Sequence, residues 1–225
     1  MKKQIFLLML SACLAFTSCT KNGDPEPEES NTVEIGGTAY STVTIGTQTW
    51  TSVNYNGAGG VNYDNGTNNA AEGKLYSYTE AVAISGLPDG WRVPTEADVK
   101  KLMATIGTET DSDNDLFINE TNSKKLISTS GWNINGNNEK GLNIKATGYY
   151  FSATSAEFTD KGTAGSFWTS TRQSNQDVLY FEIASDTWVG NTASLRGYIW
   201  GTTLDGAPSH PTFVEKRSIR FVKDN

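Results

Sequence analysis

The sequence predicts an α+β fold with mainly antiparallel pairing, and three observations carry that prediction. Apolar residues come in short runs among Gly, Asn, Ser and Thr, which favours strands joined by polar loops. The order is strands, two or three short helices, then strands, without the alternating rhythm of a parallel sheet. One central stretch, Leu87–Ile106, contains a turn, an extended arm and a complete helix.

In that stretch Pro88-Asp89-Gly90 supplies the turn. Trp91 and Val93 flank Arg92 in an alternation that suits an extended segment with one apolar face. Pro94 keeps Val93 extended. Thr95 caps the helix, and Glu96 and Asp98 sit in its first turn, where the positive end of the helix dipole favours carboxylates. Val99, Leu102, Met103 and Ile106 form one apolar stripe, and Gly107 ends the helix.

The other elements follow in order. Val33–Ile35 and Ala39–Ile45 form a hairpin around Gly36-Gly37, with Val43 and Ile45 on one face. Gln48–Tyr55 starts a third strand, and residues 57–73 are a Gly/Asn-rich loop. Ser77 and Glu80 make a capping box for a short helix running to Ser85. After the main helix come an acidic loop, Thr108–Asp115, and a helical turn around Thr121–Ser128. Strands are expected at Leu142–Tyr150, Ser166–Thr171 and Val178–Ile183. In the last, Leu179, Phe181 and Ile183 point one way, and Tyr180 and Glu182 the other. Gly190–Pro211 reads as irregular. Arg217–Val222 closes the fold with Ile219 and Phe221 inward.

The N-terminus reads as an export segment. Residues 1–18 combine Lys2 and Lys3 with an apolar core, Ile5–Phe16, that is too short for the roughly 20 residues a spanning helix needs. Thr17-Ser18-Cys19 resembles a lipoprotein cleavage site, with Cys19 as the lipid-attachment residue. Leu10-Ser11-Ala12-Cys13 fits the pattern letter by letter, but cleavage there would leave an apolar core shorter than the about 7–15 residues required. The alternative is an ordinary secretory signal. Lipidation of Cys19 leaves no free thiol in the mature chain, hence no internal disulfide and no cysteine catalysis. Residues 19–32 read as a flexible tether, since Pro, Glu and Ser dominate them. Its acids, Asp24, Glu26, Glu28 and Glu29, resemble the signals that carry lipoproteins to the outer face in Bacteroidetes-type bacteria; a plain spacer is the alternative. Loss of residues 1–18 removes two lysines and no acids, taking the formal charge from −7 to −9. That balance argues against nucleic acid and anionic membrane surfaces as partners. The lipid would hold the protein to the membrane. Residues 33–225 are enough for one domain with a sizeable core.

The pieces VTIGTQTW (43–50), KLYSYTEAV (74–82), GLPDGWRVPTEADVKKL (86–102), KKLISTSGW (124–132), ATGYY (146–150), GSFWTSTR (165–172) and RSIRFVKD (217–224) resemble, in order, the Fibrobacter succinogenes major paralogous domain. This family occurs in secreted and lipid-anchored proteins. GWRVPTEAD alone also resembles a stretch of formylglycine-generating-type enzymes. Both resemblances imply a C-type-lectin-like fold with paired termini, two helices and a loop-rich, ligand-facing half. The family often carries a cysteine just before the proline of its GWxLP stretch and another in the closing strand, and the resemblance implies a disulfide between them. This chain has Leu87 and Phe221 there, so an apolar pair of buried neighbours is expected, within about 4.5 Å.

A formylglycine-type oxidase needs reactive thiols, which are absent here. His210, beside Ser209, is the sole histidine and reads as an exposed loop residue. Glu182 and Asp186 are the nearest approach to a carboxylate pair, but not one that defines a glycosidase. Asp111, Asp113 and Asp115 alternate as in calcium loops, yet Leu116 and Asn122 occupy the places of the required Gly and Glu, so a solvated acidic loop is the reading. The Glu-Pro-Asn and Trp-Asn-Asp signatures of calcium-dependent lectins are absent. No cofactor or metal is expected. Trp188, Tyr198 and Trp200 are the candidate ligand-binding residues, because exposed rings beside polar groups suit sugar faces or protein contacts; the alternative is that they fill the core beneath a loop. Trp50, Trp91, Trp132 and Trp168 are assigned to the core. The expected function is a non-catalytic, lipid-anchored, surface-exposed outer-membrane protein that binds a glycan or another surface protein. A structural or assembly subunit of a surface complex or pilus is the second reading, and an enzyme of unknown type the third.

Overall fold

Sheet formation begins at the hairpin predicted around Gly36-Gly37. Both glycines take positive φ, 59° and 77°, which lets a two-residue turn follow the strand twist. The computed structural model describes residues 31–63, 66, 71–152, 156–186, 194–205 and 214–225. Within them, β1 (Thr32–Ile35), β2 (Thr38–Ile45), β3 (Gln48–Thr51) and β12 (Val222–Asp224) form an antiparallel sheet in the order β1-β2-β3-β12. The first and last strands thus share one sheet.

Among the described residues, three short helices follow β3. In α1 (Tyr78–Val82), Ser77 and Glu80 form the expected capping box, but the helix stops at Val82, short of Ser85. In α2 (Glu96–Ile106), Thr95 caps reciprocally with Asp98, and Val99, Leu102, Met103 and Ile106 are buried. Asn119 caps α3 (Glu120–Lys124). Between α2 and α3, β4 (Glu109–Thr110) and β5 (Leu116–Phe117) pair briefly.

The second sheet contains β6 (Thr147–Ser152), β8 (Ala164–Arg172), β9 (Asp177–Asp186), β10 (Ser194–Thr203) and β11 (Val214–Lys216), in the order β10-β9-β8-β6-β11. β7 (Ala156–Lys161) also pairs with β6. Pairing between these strands is antiparallel except for β6 with β8, which meet in parallel at Gly148 and Gly165; the isolated bridges Phe167–Ser218 and Ile127–Ile144 are also parallel. The fold is therefore α+β.

Several expectations need correction. Within the stretch read as irregular, Gly190–Pro211, residues Ser194–Thr203 form the ten-residue strand β10, while 190–193 and 206–211 lie outside the described residues. β3 ends at Thr51, and the strand expected from Leu142 begins at Thr147. The segment expected as one closing strand is broken: β11 ends at Lys216, Arg217 and Ser218 make isolated bridges, and regular pairing resumes at Val222. Its physical reason is burial on both sides. Ile219 and Phe221 face one apolar cluster and Val222 another, while Arg217 and Arg220 are buried as well.

Those two clusters lie against opposite faces of β8. Phe167 joins the α2 stripe, Trp50, Trp132, Phe181 and Ile183. Trp168 joins Val33, Ile35, Tyr76, Tyr78, Ile219 and Phe221. Trp168 is anchored by its Nε1–H, which donates to the Tyr76 carbonyl at 2.7 Å. Trp50, Trp132 and Trp168 are buried as expected, whereas Trp91 is only partly so. Leu87 and Phe221 do share the second cluster, but Leu87 is half-buried and not, as expected, fully enclosed.

Candidate functional site

Alternation along β10 separates two kinds of residue. Leu195, Gly197 and Ile199 face the main core, and Arg196, Tyr198 and Trp200 take the opposite face. Pairing with β9 sets Tyr198 opposite Glu182 and Trp200 opposite Tyr180. β9 has the alternation expected of it: Leu179, Phe181 and Ile183 are buried, and Tyr180 and Glu182 lie on the other face.

The aromatic side chains form a row. Phe117 of β5 lies 5.8 Å from the Tyr198 ring, and Tyr198 lies 5.1 Å from Trp200. Exposure rises along the row, from buried Phe117 through half-buried Tyr198 to Trp200 at 45%. Arg196 fixes the inner end: its guanidinium stacks 5.0 Å from the Phe117 ring centre, and Nη1 donates to the Tyr198 hydroxyl at 3.0 Å. Tyr198 and Trp200, two of the predicted ligand residues, are therefore adjacent on one face. Trp188, the third, lies outside the described residues, as do Cys19, Ser209 and His210.

Next to this row sits a charged cluster that sequence reasoning missed. Arg217 is fully buried, with its guanidinium 3.5 Å from the centre of the Tyr180 ring and 4.6 Å from that of Tyr149. Nη2 donates to Glu215 at 2.8 Å, and Nη1 donates to Glu182 at 3.3 Å and to the Ser166 hydroxyl. Burial disfavours the Arg217 cation more than any one neighbour favours it, but Glu215, Tyr180 and Glu182 together outweigh burial and hold the group charged. Burial pushes the Glu182 carboxyl up against the opposing pull of Arg217. It also pushes the Tyr180 hydroxyl up to about 12. The cluster is a closed charge network, best suited to fixing the position of β9 beside the aromatic row. One signal was available: Arg217 shares the parity of Ile219 and Phe221, so an alternating segment would turn it inward.

Other candidates separate from this face. Asp111 accepts N–H bonds from Asp113 and Asp115 at 3.0 and 2.9 Å, which closes the acidic loop on itself. Among the described residues no three acidic, His or Cys side chains converge as metal ligands would. The side chain of Asp186, considered with Glu182, lies outside the described residues. A cavity of about 20 Å³ beneath Trp50, Leu102 and Phe181 has room on the order of one water, not a substrate. Arg220 borders it, pushed down to about 9 by burial and held by the Asn54 side chain and by the carbonyls of Thr51, Leu142 and Asn143.

The family model described as the Fibrobacter succinogenes major domain matches residues 43–223. No curated protein and no solved structure matches the chain.

Proposed function

We propose that this chain, which belongs to the Fibrobacter succinogenes major domain family, is a lipid-anchored protein of the cell outer membrane that faces outward and binds a glycan without catalysing a reaction. The observation that carries the binding reading is the graded row Phe117–Tyr198–Trp200, with Trp200 at 45% exposure. A sugar ring has an apolar face that stacks on an aromatic ring and hydroxyls that need polar neighbours. Trp200 and Tyr198 offer the first, and Arg196 offers the second. The buried inner end of the row holds its rings in place, so little side-chain freedom is lost on binding.

The anchor reading rests on Lys2, Lys3, the short apolar core and Cys19. The acid-rich tether supports an outward-facing location. No helix among the described residues is long and apolar enough to cross a membrane. A C-type-lectin-like assignment belongs to the same proposal; its support is the sharing of one sheet by β1 and β12 and the presence of α1 and α2 before the second sheet.

A glycan array probed with the mature chain tests the binding proposal. Trp200→Ala and Tyr198→Ala are expected to weaken the selected glycan about tenfold or more with unchanged circular dichroism; unaltered binding would remove the aromatic site. Incorporation of a palmitate analogue, abolished by Cys19→Ala, tests the anchor.

A further inference from the structure

The aromatic row has a hydrogen-bond direction that stacking alone does not use. A guanidinium has only donors, so the 3.0 Å contact between Arg196 Nη1 and the Tyr198 hydroxyl makes that oxygen the acceptor. The Tyr198 proton must then point away from Arg196. Among the described residues the Tyr198 hydroxyl donates to none. Glu182 is its cross-strand neighbour, but that carboxylate accepts from Arg217 at 3.3 Å. Arg196 is itself held against Phe117, 5.0 Å from the ring centre, so packing imposes the direction.

An O–H of fixed direction beside an exposed indole selects the chemistry of the ligand. The Tyr198 and Trp200 rings lie 5.1 Å apart at 41°, so a group stacked on Trp200 has the edge of Tyr198 within reach. A sugar hydroxyl can accept from Tyr198, but it brings a proton that needs its own acceptor on leaving water. A carbonyl oxygen only accepts. Charge narrows the choice among carbonyl groups. β4, β5 and the loop between them carry Glu109, Asp111, Asp113 and Asp115, and Glu109 is the cross-strand partner of Phe117. These acids outnumber Arg196, the cation of the row, and the whole chain has a net charge of −7. A carboxylate on the sugar is therefore disfavoured. The neutral alternative is an acetamido group, whose carbonyl suits Tyr198 and whose methyl group suits the indole face.

We propose that this row, taken as the glycan site, selects an N-acetylated sugar, an inference that rests on that reading. The Tyr198 hydroxyl donates to the acetamido carbonyl. The methyl group and one face of the sugar pack on Trp200, and the amide N–H stays at the open rim in water. For this contact Arg196 is a positioning residue, which acts by turning the Tyr198 proton outward.

Two matched pairs of disaccharides test this: chitobiose against cellobiose, and N-acetyllactosamine against lactose. Within each pair the sugars differ only in acetamido groups that replace hydroxyls. NMR titration of the mature chain carrying Cys19→Ser, which takes no lipid, reads the affinities. Each acetylated sugar is expected to bind about tenfold tighter than its partner, from one hydrogen bond and one buried methyl group. Tyr198→Phe keeps the ring and should cut that ratio about threefold or more. Arg196→Met keeps an apolar stem against Phe117 but loses the donor, and should also lower the ratio. Arg196→Lys, which restores a donor-only cation, should recover part of it. Equal affinities within both pairs, or a preference that survives Tyr198→Phe, overturn the proposal. A ratio unmoved by Arg196→Met overturns the positioning role. If a sugar without an acetamido group binds in a Trp200-dependent way and neither acetylated sugar binds, the selectivity falls and the glycan site stands. A glycan array on which nothing binds removes both.

Discussion

Arg217 and Arg220 are buried cations held by different means, and that difference predicts how each responds to replacement. Arg217 balances Glu215 and Glu182. Arg217→Met leaves two carboxylates without their cation in a site from which water is largely excluded, and is expected to cost about 3–5 kcal/mol in urea denaturation. Arg220 instead satisfies backbone carbonyls, so Arg220→Met leaves acceptors at Thr51, Leu142 and Asn143 unpaired, at roughly 1–3 kcal/mol each before relaxation. Glu80 provides a pH test. Burial disfavours its charge, but N–H groups of Ser77 and Gly60, the Ser77 hydroxyl and Lys216 together bring the carboxyl down to about 2. Its folded value lies below the unfolded value, so its contribution is present above the ordinary carboxylate range and is lost as pH falls from about 4.5 towards about 2. The melting-temperature gap between wild type and Glu80→Gln should therefore be widest near neutrality and close across that window; a gap independent of pH would contradict this origin.

Elements with local punctuation were legible in the sequence, and those defined by distant partners were not. Thr95 and Asp98 marked the start of α2, and Gly36-Gly37 marked the first hairpin. Asp98 does more than cap: it also accepts from Arg92 and Gln48. Thr95→Ala should cost about 1 kcal/mol and Asp98→Ala about 2 kcal/mol or more, an ordering that chemical denaturation can check. β10 was missed because its Gly/Thr/Asn-rich stretch, Gly190–Pro211, read as irregular. The structure supplies the reason for Gly197: a Cβ there would lie 3.2 Å from Ile183 and 3.4 Å from Ile118, so glycine admits the β5 segment to the edge. Gly148 has a similar role in β6, with φ of 63° and a Cβ position only 2.1 Å from the Thr159 carbonyl. Gly148→Ala should disrupt the β6–β7 hairpin and lower the melting temperature sharply.

Across the whole molecule, the segment from Arg217 to Val222 joins what the sequence presents as separate parts. It passes between both apolar clusters and pairs with residues of β8, with Tyr76 and with Arg92. Sequence alternation indicated its buried apolar residues, but the burial of Arg220 on its other side depends on carbonyls from Thr51 and residues 142–143, far away in the chain. The same holds for the candidate site. Tyr198 and Trp200 were legible as rings among polar residues; Phe117 and Arg196, which order them, come together only once β5 reaches the β10 edge. The central claim is that this ordered row receives a sugar ring. The most direct measurement is a titration of the six indole N–H resonances of the mature chain with a glycan selected on the array. The Trp200 resonance should shift in proportion to occupancy while those of Trp50, Trp132 and Trp168 stay in place; a bound glycan that leaves Trp200 unmoved would contradict the claim.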